Sequence, residues 1–195
     1  MNKPLRSLIL IVLAIAIVGA GAYALYTKKA LSPTGPAPAA VSGKQYMDAE
    51  RGFSFQYPTF YELFEREAGT AERERHTITL IRESDTVPVE GGEGPTAISI
   101  DIIQNDIDKQ SIMDWMTNRT EESNFNLGDG NYTSTTVGGA DALVYNWSGL
   151  YEGKTTVFAH GDDIIAVSVT WLTPTDGMLA DYDRLLKSFA FDPKG

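Results

Sequence analysis

The chain has 195 residues, of which 26 are acidic and 16 are basic, and its formal net charge is −10. This charge argues against nucleic acid as a partner, because affinity for phosphate depends on clustered Lys and Arg side chains. The chain contains no cysteine, which excludes a disulfide framework, a lipid-modified cysteine and a cysteine nucleophile.

An uncharged, predominantly apolar segment covers residues 7–27, with two basic residues close to each of its ends. About 20 apolar residues span a bilayer as a helix. We predict an uncleaved, single-pass signal anchor here, with residues 1–6 in the cytoplasm and the following domain outside the cytoplasmic membrane. The alternative is a signal peptide cleaved after Ala22-Tyr23-Ala24, which would make the protein secreted or periplasmic.

The segment that follows, residues 28–44, is rich in Pro and Ala and shows no apolar periodicity, so we predict an extended linker. Residues 45–195 are long enough for one soluble domain with a sizeable core. From residue 30 onward the chain carries 12 basic and 26 acidic residues, a net charge of −14.

Alternating apolar and polar residues predict strands in the first half of the domain. A Gly- and Pro-rich acidic stretch predicts a mobile, solvated loop at 83–95. Ser111 and Asp114 resemble a capping box, which predicts a helix over 112–122 and a loop at 124–131. The predicted strands cover residues 45–47, 53–57, 60–66, 76–82 and 96–103.

In the second half, Gly-rich turns separate four further strands. Both faces of the strand at 164–172 are apolar, which predicts a central strand covered on both sides. Thr173-Pro174-Thr175-Asp176 predicts the start of an amphipathic helix, and a short strand closes the domain at 189–191. The other three strands cover 132–137, 140–147 and 155–160. These elements predict an α+β domain, an antiparallel sheet flanked by helices.

Three segments carry a family resemblance: Gly-Phe-Ser-Phe-x-Tyr-Pro at 52–58, Gly-Gly-Ala-Asp-Ala-Leu-Val-Tyr at 138–145, and the closing helix that runs into Ser-Phe-Ala-Phe at 188–191. Over about 45–191 the sequence resembles the PsbP-like superfamily, which includes the photosystem II protein PsbP, the Ran-binding Mog protein and membrane-anchored bacterial proteins. The resemblance implies an α-β-α sandwich and a non-catalytic role in interaction or assembly. It carries over neither a photosystem nor a Ran-binding role.

Few residues have the types and spacings needed for catalysis. There is no Gly-x-Ser-x-Gly elbow and no Ser-x-x-Lys pair, and only His76 and His160 could act as histidine bases. We interpret both as solvated histidines at strand ends. No catalytic residue is therefore assigned, and no cofactor is predicted.

Two acidic groups are candidate metal ligands, because oxygen-rich loops can bind calcium. Neither has the spacing of an EF-hand or a zinc site, and aspartates also favour turns for their own hydrogen bonds. The first group lies after a predicted strand and the second shares one turn. The candidates are Asp101, Asp106 and Asp108, and His160, Asp162 and Asp163.

The aromatic residues divide into two predicted groups. Trp115, Trp147 and Trp171 fall on apolar faces and are predicted to lie in the core. Tyr57, Phe60 and Tyr61, around Pro58, are predicted to be the most exposed aromatic residues and a candidate partner surface.

Three function hypotheses follow. The first is a membrane-tethered extracytoplasmic domain for protein interaction or assembly, without catalysis. The second is an extracytoplasmic domain that binds a small ligand or a divalent cation at the acidic turns. The third is a carboxylate-based hydrolase, which requires two acids facing each other across a cleft.

Overall fold

The computed structural model describes residues 43–70, 73–85 and 94–192. The predicted cytoplasmic segment, the anchor at 7–27 and most of the linker lie outside these residues, as does most of the loop predicted at 83–95. Within the described ranges, no helix is long and apolar enough to cross a membrane. The first strand begins at Gly43, inside the segment that the sequence assigns to the linker.

Strands dominate the described part of the chain. Two short helices and a 3-10 turn at Phe125–Leu127 lie between the fifth and the sixth strand, and one longer helix lies between the ninth and the tenth. The helices are α1 (Ile112–Asn118), α2 (Thr120–Ser123) and α3 (Gly177–Ser188). The strands are β1 (Gly43–Asp48), β2 (Phe53–Pro58), β3 (Tyr61–Thr70), β4 (Arg73–Arg82), β5 (Ile98–Gln104), β6 (Thr133–Val137), β7 (Ala140–Ser148), β8 (Glu152–His160), β9 (Asp163–Trp171) and β10 (Ala190–Phe191).

The strands form two sheets, and all the strand pairs described are antiparallel. The larger sheet has seven strands in the order β3-β4-β5-β9-β8-β7-β6, and the smaller has three in the order β1-β2-β10. β9 is the middle strand of the large sheet, which confirms the prediction made from its two apolar faces. The antiparallel part of the predicted fold class is likewise confirmed.

One face of the large sheet packs against the small sheet and α3. Its core joins the alternating isoleucines of β5 to Phe55 of β2 and to Tyr182 and Leu185 of α3, all of them buried. α3 begins later than predicted: Asp176 is its N-cap, and the Asp176 carboxylate accepts a hydrogen bond from the amide of Met178 at 2.9 Å. The N-cap is the last residue of the predicted start, Thr173-Pro174-Thr175-Asp176, so Pro174 precedes the helix and is not in its first turn, as its use as a start signal had implied.

The opposite face packs against α1 and α2. Ser111 caps α1 by accepting a hydrogen bond from the amide of Asp114 at 3.0 Å, as predicted. The single helix predicted over 112–122 is wrong, because the backbone leaves helical geometry at Arg119, with φ −104° and ψ 52°. Buried polar contacts favour this break: the Ser123 hydroxyl donates to Met116 O at 2.8 Å, and the Tyr145 hydroxyl donates to Ser123 O at 2.6 Å.

The aromatic predictions are partly wrong. Tyr61 is fully buried and Tyr57 is 9% exposed, whereas Phe60 is 43% exposed. Tyr61, the first residue of β3, lies in the same core cluster as the buried residues of α3, and its hydroxyl donates to Oδ2 of Asp181 at 3.0 Å. Trp115 is a core residue, as predicted. Trp147 and Trp171 are half-buried and pack against the two core clusters.

Candidate functional site

A polar cleft of about 270 Å³ lies where the β1–β2 turn, β4, the end of β5 and the β8–β9 hairpin meet. It brings together four of the six predicted metal ligands, Asp106, His160, Asp162 and Asp163, and adds His76. We call it the histidine–acid cleft. Its polar lining also includes Glu50, Arg51, Glu74 and Gln104.

His160 is held in place at one side of the cleft. Its Nε2 lies 2.9 Å from the backbone oxygen of Arg51, and because a carbonyl can only accept, this geometry assigns the proton to Nε2. Its ring stacks on Phe191, with centroids 4.2 Å apart and 20° between the planes, and meets the edge of Phe53. His160 therefore links the β8–β9 hairpin to both β2 and β10 of the small sheet.

Arg51 is the cation of the histidine–acid cleft. Its guanidinium lies 3.1 Å from Oδ2 of Asp48 and 3.8 Å from Oδ2 of Asp163. Burial raises the pKa of the Asp163 carboxyl; Arg51 opposes the shift and the nearby Asp162 adds to it. The attraction of Arg51 therefore does not fully offset the cost of burying the Asp163 carboxylate in the cleft wall.

His76 lies inside β4 and faces two acids of β3. Its Nδ1 is 2.7 Å from Glu67 Oε1 and its Nε2 is 3.3 Å from Glu65 Oε1. The Tyr46 hydroxyl of β1 donates to the same Glu65 oxygen at 2.8 Å, which connects the two sheets. The His76 side chain is only 12% exposed. The prediction of solvated strand-end histidines is therefore wrong for His76.

The histidine–acid cleft is acidic, and its two histidines and Arg51 are held by groups of the protein. Among residues 43–70, 73–85 and 94–192, no group of three His, Asp or Glu side chains is placed to hold a metal ion. The cleft does not include two of the six predicted metal ligands, because Asp101 and Asp108 lie on the other side of β4 and β5. Its chemistry is that of a shaped, negatively charged surface with fixed histidine rings.

Asp101 and Asp108 lie on the other side of β4 and β5, where both contact arginines. Oδ1 of Asp101 is 3.0 Å from Nε of Arg75 and accepts from the Thr77 hydroxyl at 2.7 Å. Oδ1 of Asp108 accepts from Nη2 of Arg73 at 2.7 Å, and this bond lowers the pKa of the Asp108 carboxyl. These two aspartates therefore neutralise arginines in the structure.

This second site, which we call the arginine pocket, has a volume of about 530 Å³. The spacing of Arg73 and Arg75 is the one sequence signal that could have indicated it, because residues i and i+2 of a strand share a face. Its main lining residues are Arg73, Arg75, Ile103, Ile107, Arg119 and Glu122.

No protein-family model matches the chain, and no curated protein matches it. The solution structure of cyanobacterial PsbP (CyanoP) from Synechocystis sp. PCC 6803 is similar, with a TM-score of 0.53 and 14% identity over 82% of this chain and 99% of that one. A crystal structure from Bacteroides thetaiotaomicron matches with a TM-score of 0.47 and 11% identity, over 78% of this chain and 50% of that one. The similarity to the cyanobacterial PsbP structure shows that the chain has a PsbP-like fold, as the sequence resemblance predicts.

Proposed function

We propose that the chain is a membrane-tethered domain outside the cytoplasmic membrane that acts in protein interaction or assembly and not in catalysis. The apolar segment at 7–27, the linker at 28–44 and the PsbP-like fold support this proposal. The observation that carries it is the state of the two histidines: both are held by structural partners in an acidic cleft.

A histidine that acts as a general base needs a ring nitrogen that can reach a substrate proton. In His76 both ring nitrogens face carboxylates, so neither is directed at a substrate. In His160 the contact of Nε2 with a carbonyl and the stacking on Phe191 fix the ring as part of the packing between the two sheets. The same contacts make the cleft a rigid acidic surface. Such a surface suits a basic patch on a protein partner, because complementary charge raises the rate of association and fixes the register.

Site-specific photo-crosslinking of the full chain in its membrane tests this function. A photoreactive side chain at Asp162, which is exposed at the cleft, should give a discrete protein adduct. The same probe at Thr175, which is exposed outside the cleft lining, is the matched control and should not give that adduct. High salt should suppress the adduct, because it screens exposed charges.

Two outcomes would contradict the proposal. One is the absence of any adduct at position 162. The other is an identical adduct when the domain is attached to an unrelated anchor in a different membrane, because random collision would then explain the product.

A second candidate function is binding of a cationic small ligand or a divalent ion at the histidine–acid cleft. It is favoured by the acidic lining of this cleft, in which four of the predicted ligands lie without forming a ready-made metal site in the described part of the chain. Calorimetry with Ca²⁺ on the full chain, together with its melting temperature with and without the ion, tests this function. Absence of both heat and a melting shift would end it for calcium. The carboxylate-hydrolase hypothesis stays a prediction.

A further inference from the structure

The arginine pocket concentrates three guanidinium groups on a strongly acidic domain. Arg73 and Arg75 come from β4, and Arg119 comes from the junction of α1 and α2. Residues 30–195 carry a net charge of −14, so a concave surface with three arginines stands out against its surroundings. The volume of about 530 Å³ lies within the range of about 300–1,000 Å³ that is typical of small-ligand sites.

Two of the three guanidiniums form the fixed wall of the pocket. Arg73 donates from Nη1 to Gln104 O at 2.6 Å and from Nη2 to Asp108 at 2.7 Å, and its side chain is 13% exposed. Arg75 is held by Asp101 through Nε and Nη2. Both guanidiniums have hydrogen-bond partners within the protein, so they shape the pocket and do not need a ligand as a partner.

Arg119 differs from the other two. Its guanidinium makes no hydrogen bond to any residue in the described part of the chain, and the oxygen paired with it, Oδ2 of Asp108, lies 3.6 Å away. Its side chain is 37% exposed. The break between α1 and α2 at Arg119 places this residue at the pocket. A guanidinium offers five N–H donors, and within the described residues the long ion pair with Asp108 is the one contact seen for this group, so it can still accept a further hydrogen-bond partner.

The pocket also has an apolar part. Ile107 is 65% exposed and lines the pocket together with the buried Ile103. Ile107 lies in a loop that the Asn105 side chain closes. Oδ1 of Asn105 accepts a hydrogen bond from the backbone N–H of Gln110 at 2.9 Å, and Nδ2 of Asn105 donates to the Gln110 backbone oxygen at 3.0 Å. The fixed loop keeps an apolar side chain in solvent in the same pocket as the Arg119 guanidinium.

We propose that the arginine pocket binds a single carboxylate attached to an apolar body, with Arg119 holding the carboxylate and Ile107 contacting the apolar body. Guanidinium and carboxylate match in charge and planar geometry, and such hydrogen bonds are stronger than neutral ones. Multiply charged anions such as phosphate are disfavoured, because three carboxylates, those of Asp101, Asp108 and Glu122, already offset the three arginines. This site rests on its own residues and is independent of the proposed function.

Calorimetric titration of the full chain in phosphatidylcholine nanodiscs tests the proposal. The probes are 4-methylpentanoate and its neutral amide, and the peptide acetyl-Ala-Ala-Leu with a free or an amidated carboxyl terminus. An acid should bind and its amide should not. The acid that binds more tightly identifies the source of the carboxylate, a small molecule or a peptide end.

Arg119→Gln should weaken binding of the acid by about tenfold or more, because the carboxylate loses its hydrogen bonds to a charged donor. Lys187→Gln on α3 removes the same charge from the other side of the large sheet and should leave binding unchanged. Ile107→Asp should also weaken binding and, at an exposed position, should leave the fold intact.

Four results would overturn the proposal. The first three are failure of both acids to bind at millimolar concentration, equal binding of acid and amide, and equal losses in Arg119→Gln and Lys187→Gln. The fourth is tighter binding of inorganic phosphate than of either acid. If Arg119→Gln unfolds, as its melting curve would show, Ile107→Asp alone decides the outcome.

Discussion

The indole ring of Trp147 on β7 lies flat against Gly153, its cross-strand partner on β8. A Cβ atom at position 153 would lie far inside van der Waals contact with Cε2 of Trp147. The indole Nε1 donates to the Thr155 hydroxyl at 2.9 Å, which in turn contacts the Ser168 hydroxyl at 2.8 Å. Gly153 is therefore required by the space that the tryptophan occupies and not by an unusual backbone angle.

Gly153→Ala should destabilise the domain by about 1–3 kcal/mol, the usual cost of overpacking a filled site. Urea unfolding followed by tryptophan fluorescence measures the change. Gly153→Ala should cost less stability in a Trp147→Leu background than in the wild type, because the smaller side chain leaves room for the added Cβ. Additive losses in the double-mutant cycle would show that the Trp147–Gly153 contact does not limit stability.

Asp163→Asn should raise the melting temperature at about pH 7. Burial raises the pKa of the Asp163 carboxyl, against the effect of Arg51, so the folded state binds this proton more tightly than the unfolded state. The charged form therefore costs stability above the unfolded pKa. At about pH 3 the wild-type carboxyl is protonated in both states, and the advantage should disappear.

Asp162→Asn is the matched control for this prediction. Asp162 is exposed on the same turn, so its replacement should change the melting temperature less. A lower melting temperature for Asp163→Asn at about pH 7 would mean that its contact with Arg51 outweighs the cost of burial.

Three buried tyrosines should make the domain unstable at alkaline pH. Burial raises the pKa of Tyr61, Tyr145 and Tyr182. In the unfolded chain these phenols ionise near pH 10, while in the folded chain they keep their protons. The unfolded state then binds fewer protons, so the free energy of unfolding falls by about 1.4 kcal/mol per pH unit for each tyrosine.

Urea unfolding between about pH 9 and pH 11.5 measures this slope. Tyr182→Phe removes the hydrogen bond between the Tyr182 and Thr156 hydroxyls, which should lower stability at neutral pH. It should also make the free energy of unfolding fall less steeply with pH, by the equivalent of about one proton. An identical slope in the variant and the wild type would show that Tyr182 does not contribute to the alkaline transition.

The strands of this fold are the part that sequence patterns predict well. Ile98, Ile100 and Ile102 alternate on β5, and the structure buries all three on one face. β9 is apolar on both faces and is central. Alternation is a local property of the chain, and burial on one face of a sheet is its direct consequence.

The helix boundaries and the buried tyrosine depend on contacts that local patterns do not contain. The break at Arg119 accompanies the bond between Tyr145 and the backbone of Ser123, which joins β7 to α2. Tyr61 follows a proline turn, a position that the sequence predicts to be exposed, yet its hydroxyl forms a hydrogen bond with Asp181 far along the chain. Both outcomes were therefore outside what periodicity and turn residues could predict.

The candidate sites required the strand register as well. His76 and His160 meet at one cleft only because β4, β5, β9 and β8 are neighbours in that order. The sequence grouped Asp101 with Asp106, but register places Asp101 opposite Thr77 and beside Arg75. Short spacing along the chain therefore grouped acids that the sheet separates onto different faces.

The anchor predicted at residues 7–27 is open to a direct test in the native membrane. The full chain should stay in the membrane fraction after an alkaline carbonate wash, and mass spectrometry should find its N-terminal segment intact. Leu13→Asp/Ile17→Asp should release the chain or block its insertion, because each central Asp costs about 2.5–3.5 kcal/mol. Leu13→Ala/Ile17→Ala is the matched control and should remain bound. A mature N-terminus at Leu25 would contradict the anchor and establish cleavage after Ala24. In that case Ala22→Leu should keep the chain in the membrane fraction, because it removes the small residue that cleavage requires.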